Sequence, residues 1–273
     1  DWIEVRYELT AEDADLACEA LVAAGFTAFA LATGRGENQD LTLYGAEMLP
    51  QSALACLAAL GLRPVAQATL DEQVLYAQLH PQAPVLLAPG VHVQPGDEAP
   101  PAGGLVLRLP PGPAWGDGRH PTTRLLARRL VDLDVLGARV LDLGCGSGLL
   151  GILAAKRGAA EVVLTDNDDH ALRVTRACCA ANGVVAGIHS GDLLAAVPEG
   201  FVADLLIANL WADLVLACCD DSRLTGILPR GRWLGSGVHV RRRDEVEAAL
   251  TALGFRLVWS EEEAWWWAFE GHR

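Results

Sequence analysis

At 273 residues and 51% hydrophobic content, the chain has enough apolar material for one large and one small domain. No stretch approaches the roughly 18 uninterrupted apolar residues of a spanning helix, and Asp1-Trp2-Ile3-Glu4 lacks the basic start of a signal peptide; a soluble, cytoplasmic protein with no membrane partner is expected. The net charge of −14, with 12 acids against 3 bases in residues 1–75, argues against direct binding of nucleic acid and favours a basic protein or small-molecule partner.

In chain order, Ile3, Val5, Tyr7 and Leu9 alternate as in a strand, and Thr10 then precedes a helical apolar series, Leu16, Ala20, Leu21 and Ala24, that stops at Gly25. Strand-like runs at 26–32 and 41–44 flank the turn signal Gly34-Arg35-Gly36-Glu37-Asn38, and a helix over 52–60 and a strand over 64–70 complete a β-α-β-β-α-β order. That order predicts a small ferredoxin-like α+β domain over residues 1–75. Residues 76–113 are crowded with proline and glycine, as in Leu109-Pro110-Pro111-Gly112-Pro113, and read as a linker. From 114 to 273, β-rich runs at 139–143, 161–165, 184–189, 203–208 and 231–235 alternate with helical segments. This is the pattern of an α/β, Rossmann-type parallel sheet covered on both faces. The seven cysteines show no Cys-x-x-Cys spacing and read as reduced, mostly buried thiols, so no metal site is expected from them.

The first of these runs, Val140-Leu141-Asp142-Leu143, ends in Gly144-Cys145-Gly146-Ser147-Gly148 before a helix. Glycines at a strand-to-helix turn admit a ligand close to the backbone and to the free N–H groups of the helix start. A dinucleotide fingerprint needs glycine in the sixth position, which here is Leu149, so an NAD-linked oxidoreductase is disfavoured. The second strand ends in Asp166, placed to accept hydrogen bonds from a ribose diol. Asp192 follows the third strand, and Asn209 follows the fourth, at the edge where open α/β sheets hold their ligands. Its carboxamide suits orienting an amine, while an Asn capping the next helix is the bland alternative. Ahead of the sheet, Gly116-Asp117-Gly118-Arg119-His120-Pro121-Thr122-Thr123 has the look of a mobile lip running into a helix; His120 has no partner ligands at useful spacing and reads as structural.

These motifs resemble the PrmA-type methyltransferases that modify the large-subunit ribosomal protein L-eleven. Their pattern is Gly-x-Ala-Phe-Gly-Thr-Gly-x-His-x-Thr-Thr, Asp-x-Gly-x-Gly-Ser-Gly, an Asp after the second strand, and Ala-Asn before a helix. The resemblance covers roughly 105–273 by motif, including Leu234-Gly235-Ser236-Gly237, and 1–75 by element order alone. It implies S-adenosyl-L-methionine as cofactor, with Thr123, Gly144, Gly146, Asp166, Asp192 and Asn209 as contact residues. It also implies N-methylation of lysine side chains or the N-terminal amine of a basic ribosomal protein, recognised by the first domain. No residue identifies a catalytic base. Two departures, Asp117 in place of the pattern's Thr and the absence of linker tryptophans, with Val74, Tyr76 and Val91 in that stretch, bear on the acceptor more than on the donor. They leave open a divergent relative with another acceptor or with mainly a binding role.

Overall fold

The computed structural model describes residues 2–26, 28–33, 38–46, 48–70, 84–95, 103–110 and 116–273. The expected turn at 34–37, Val74 and Tyr76, and Trp115 lie outside the described residues. The chain divides into two compact units, Asp1–Pro81 and Gln82–Arg273.

The first unit runs β1 (Trp2–Thr10), α1 (Ala11–Ala23), β2 (Phe29–Thr33), β3 (Asn38–Ala46), α2 (Gln51–Ala59) and β4 (Ala66–Leu70). Its four strands lie in the order β2-β3-β1-β4, each antiparallel to its neighbour. The alternation in β1 buries Val5, Tyr7 and Leu9 in a core that also holds Ala14, Ala17 and Leu21 of α1 and Ala53 and Leu57 of α2. Thr10 caps α1, its hydroxyl accepting from the Asp13 N–H at 3.1 Å.

The stretch read from composition as linker contains three strands of the second unit. These are β5 (Val85–Ala88), β6 (Val91–Pro95) and β7 (Leu105–Leu109), joined in one sheet. Proline and glycine fall at the strand ends and connections, so the intervening Leu87, Val91, Val93 and Leu107 still alternate inward and bury. They join the core beneath α3 (Pro121–Asp132), through Leu125, Leu126 and Leu130.

The main sheet comprises β8 (Arg139–Leu143), β9 (Glu161–Asp166), β10 (Gly187–Ser190), β11 (Leu205–Asn209), β12 (Arg232–His239), β13 (Arg256–Glu263) and β14 (Trp266–His272), in the order β10-β9-β8-β11-β12-β14-β13. The first five are parallel, in agreement with the sequence pattern. β14 alone is reversed, running antiparallel to both of its neighbours, β12 and β13. The hairpin escapes a sequence reading because its turn, Ala264-Trp265, contains no glycine or asparagine and is flanked by Glu261-Glu262-Glu263. β10 begins at Gly187 and not at Val184, because Gly183 ends the preceding helix in a left-handed cap and the Val184 N–H closes that cap onto Cys179 O. Helices α4 (Leu149–Lys156) and α5 (Asp169–Asn182) lie on one face with α3, and α6 (Ala212–Asp220), the short α7 (Arg223–Ile227) and α8 (Arg243–Ala252) on the other. Val140 and Leu205 feed one core and Leu141 and Leu206 the other, as two-sided burial of successive strand residues requires. All seven cysteines are free. Among the described residues no helix is long and apolar enough to cross a membrane.

From β8 the chain steps to β9 on one side, while β11 pairs with β8 on the other. The carboxyl ends of β8 and β11 therefore flank the crevice where the winding reverses, which sets Gly144 and Asn209 side by side.

Candidate functional site

At that crevice the backbone after β8 alternates in character. Gly144, Gly146 and Gly148 adopt left-handed φ values of 66°, 55° and 76°, while Cys145 and Ser147 between them turn inward and are buried. The loop needs glycine at 144 for its conformation, and a Cβ there would also stand 2.5 Å from Leu210 Cδ2 and oblige that side chain to shift. The Cys145 N–H donates to Thr165 O at 2.9 Å, and Thr175 Oγ1 donates to Gly146 O at 2.6 Å, pinning the loop to β9 and α5. A bare, concave backbone leading into the start of α4 is what a polar, adenosine-like group requires for close approach.

Asp166, the last residue of β9, is held by backbone donors on both oxygens. Gly146 N–H reaches Oδ2 at 2.9 Å and Asp168 N–H reaches Oδ1 at 3.0 Å. Each oxygen keeps a second acceptor position, so the carboxylate is pre-oriented and can still receive a diol. Beneath the loop lies Asp142, which the sequence reading did not single out. It is 2% exposed, accepts from Gly151 N–H at 2.8 Å, and burial pushes its carboxyl up to about 7, the Gly151 N–H opposing and the Asp166 charge adding. Its signal in the sequence was a lone acid inside an apolar strand. Thr175, in the middle of α5, left no such signal. Asp192 sits beyond β10 at the same edge, ahead of the 3-10 turn Leu193–Ala196. Among the described residues no hydrogen bond ties it to the glycine loop.

Asn209 ends β11, and its Nδ2 donates to the buried Thr123 Oγ1 at 3.3 Å, joining two segments 86 residues apart. The amide oxygen is thereby turned to accept from another donor. Thr123 is presented by α3, which Pro121 opens and His120 caps, and His120 Nδ1 lies 2.8 Å from Thr122 Oγ1. Burial, and then the Arg124 cation, lower the His120 pKa to about 4, with Glu263 opposing, so its ring is neutral near pH 7. Around it gathers an aromatic wall absent from the sequence reading. Trp266, 3% exposed, meets His120 edge-on at 5.1 Å, Trp211 at 5.5 Å and His239 at 6.2 Å between ring centres. The lip is latched to the glycine loop by Ser147 Oγ, which donates to Gly116 O at 2.8 Å. Asp117 turns onto Arg119, accepting from its backbone N–H at 2.9 Å and lying 3.2 Å from its Nε.

The family model described as "Ribosomal protein L11 methyltransferase (PrmA)" matches residues 76–273, which includes every residue of this site. The chain belongs to that family. Curated relatives carrying the same description include one from Synechococcus sp., 39% identical over 168 residues covering 59% of this chain and 55% of the relative. Another, from Symbiobacterium thermophilum, is 40% identical over 170 residues, covering 62% of this chain and 54% of the relative. The chain thus spans a little over half the length of these relatives. A crystal structure described as ribosomal protein L11 methylase from Lactobacillus delbrueckii subsp. bulgaricus superimposes with a TM-score of 0.63 at 28% identity, covering 70% of this chain and 98% of that one.

Proposed function

We propose that this chain methylates amine nitrogens of a large-subunit ribosomal protein, using S-adenosyl-L-methionine. The observation that carries the reading is the meeting, at one switch point, of the three left-handed glycines, Asp166 bonded to Gly146, and Asn209 bonded to Thr123. The family membership supports the same chemistry and the ribosomal acceptor. When bound, the cofactor would supply an electrophilic methyl group.

In this reading Gly144 and Gly146 hold the donor against bare backbone, Asp166 grips its ribose, and Asp192 lies within reach of its base. Asn209, oriented by Thr123, accepts a hydrogen bond from the attacking amine and aims its lone pair, so that the gain comes mainly from alignment. A lysine with a pKa near 10.4 must first lose its proton, which costs about 4.6 kcal/mol at pH 7 unless the site desolvates it. The aromatic wall of His120, Trp211 and Trp266 offers that desolvation, because the neutral imidazole adds no ion to it.

For the first unit, the element order and the antiparallel sheet order β2-β3-β1-β4 support a ferredoxin-like assignment, and its acidic excess supports a basic acceptor. A cytoplasmic location accords with such a substrate. The test is a calorimetric titration with S-adenosylmethionine, its demethylated product and NAD, followed by a methyl-transfer assay on purified ribosomal protein L11. Binding of the first two and methyl incorporation are expected; binding of NAD alone would refute the donor assignment.

A further inference from the structure

The hairpin turn between β13 and β14 stands at the carboxyl edge of the sheet, since His239, at the end of β12, pairs with Trp266, at the start of β14. Both turn residues carry side chains in the left-handed region, Ala264 at φ 47° and Trp265 at φ 68°. A bulky residue rarely occupies that region, and glycine or asparagine would close the turn more readily. The Trp265 carbonyl is nonetheless fixed, accepting from Val240 N–H at 2.9 Å. Its ring, 46% exposed, is in sharp contrast with Trp266 and Trp267 beside it, at 3% and 0%. Local packing thus gives no return for placing the largest side chain at an unfavourable φ, which directs attention to what the ring meets from outside.

It borders a concavity of about 340 Å³ with Val240, Glu262, Glu263 and Ala264. The carboxylates there already have partners: Arg243 for Glu262 at 2.9 Å, and Arg124 and Arg128 for Glu263 at 2.5 and 2.6 Å. What the concavity offers a cation is therefore an indole face, on a unit whose residues 82–273 carry 23 acids against 18 bases. One residue further on, Trp266 forms the wall that reaches Trp211, two residues past Asn209.

We propose that Trp265 docks the acceptor protein by stacking against a cationic lysine side chain at the rim of the site, outside the reacting position. This rests on the acceptor assignment made under Proposed function. It makes Trp265 a specificity residue that acts on acceptor binding and not on the chemical step.

The test uses the full chain with purified ribosomal protein L11, native and lysine-acetylated, and the variants Trp265→Ala and Trp265→Phe. For Trp265→Ala, KM for the native acceptor should rise about 5- to 30-fold, corresponding to a cation–π contact of about 1–2 kcal/mol. The values of kcat and the donor Kd should not change. Trp265→Phe should recover most of the loss, and all thermal midpoints should stay at or above wild type, because the ring is exposed. Calorimetric affinity for acetylated acceptor should be equally low for wild type and Trp265→Ala, since acetylation removes the cation. Unchanged KM in Trp265→Ala overturns the inference alone, and a loss that persists with acetylated acceptor overturns the cationic partner. A wild-type chain that binds donor but neither binds nor methylates ribosomal protein L11 overturns the acceptor assignment and this inference with it.

Discussion

The two sides of Asn209 are built by different means. On the side of the glycine loop the hydrogen bonds of Asp166 and Gly146 each have a main-chain group at one end: three left-handed glycines shape the backbone, Asp166 is held by two main-chain N–H groups, and Thr175 donates to Gly146 O. On the other side the surface consists of side-chain rings contributed by residues 120, 211, 239 and 266, and its shape follows from how those rings pack. Under the proposed function the first arrangement resists substitution, because the groups assigned to the donor are also the groups that fold. The second allows ring-by-ring variation, so change of acceptor is expected there before change of donor.

If the two sides are independent, removing the centre of the aromatic wall should cost stability and leave the donor half intact. Trp266→Ala should destabilise the protein by about 3–5 kcal/mol, as for other buried tryptophans, read from urea unfolding. The donor Kd of the protein that remains folded should hold within about threefold. A donor affinity that collapses in step with stability would show the halves to be one cooperative structure.

The halves should also titrate with opposite signs. Asp142, with its carboxyl near 7 when folded and near 3.9 when unfolded, binds a proton more tightly in the folded state, so its stabilisation is full below pH 4 and is lost as pH rises through 7. His120, near 4 folded and 6.5 unfolded, is the reverse: its contribution is present above 6.5 and is lost as pH falls through 4. Over those windows Asp142→Asn should flatten a decline of at most about 4 kcal/mol, and His120→Asn a rise of at most about 3 kcal/mol. Unfolding free energies at pH 4, 5.5 and 7.5 for both variants decide this; slopes that match wild type would mean that neither group keeps its shifted pKa.

A smaller effect falls on the donor side. Asp166→Ala removes a charge-assisted acceptor worth about 1.5–3 kcal/mol per bond to the ribose, so donor affinity should fall at least about tenfold while the fold survives. Calorimetry that returns the wild-type Kd would remove Asp166 from the binding surface. Smallest is Asp117→Thr. The aspartate and Arg119 are each more than a third exposed and already paired, so the charge reaching the donor is largely offset. Restoring the neutral residue should raise affinity for both donor and demethylated product by less than about fivefold at low salt. A selective loss of donor affinity would instead mark Asp117 as a partner of the donor's positive charge.

Residues adjacent in sequence carried most of what could be read without a structure. Gly144 to Gly148, Asp166 and Asn209 each lie at a strand end, where a short apolar run and its following turn prescribe both conformation and exposure. Four of the five parallel strands, β8, β9, β11 and β12, were legible because burial on both faces imposes continuous apolar runs, whereas the edge strand β10 is only half-buried. The strands at 85–109 were hidden because composition reports proline and glycine without their positions, and it is position that lets them bound strands. The β13–β14 hairpin was hidden because its turn breaks the usual chemistry, and the antiparallel pairing that overrides it comes from β12, some 25 residues upstream. Only tertiary structure could place Thr123 on Asn209, Thr175 on Gly146 or Trp266 between His120 and Trp211. Those contacts join segments tens of residues apart, and no local periodicity encodes a partner that only chain reversal brings near.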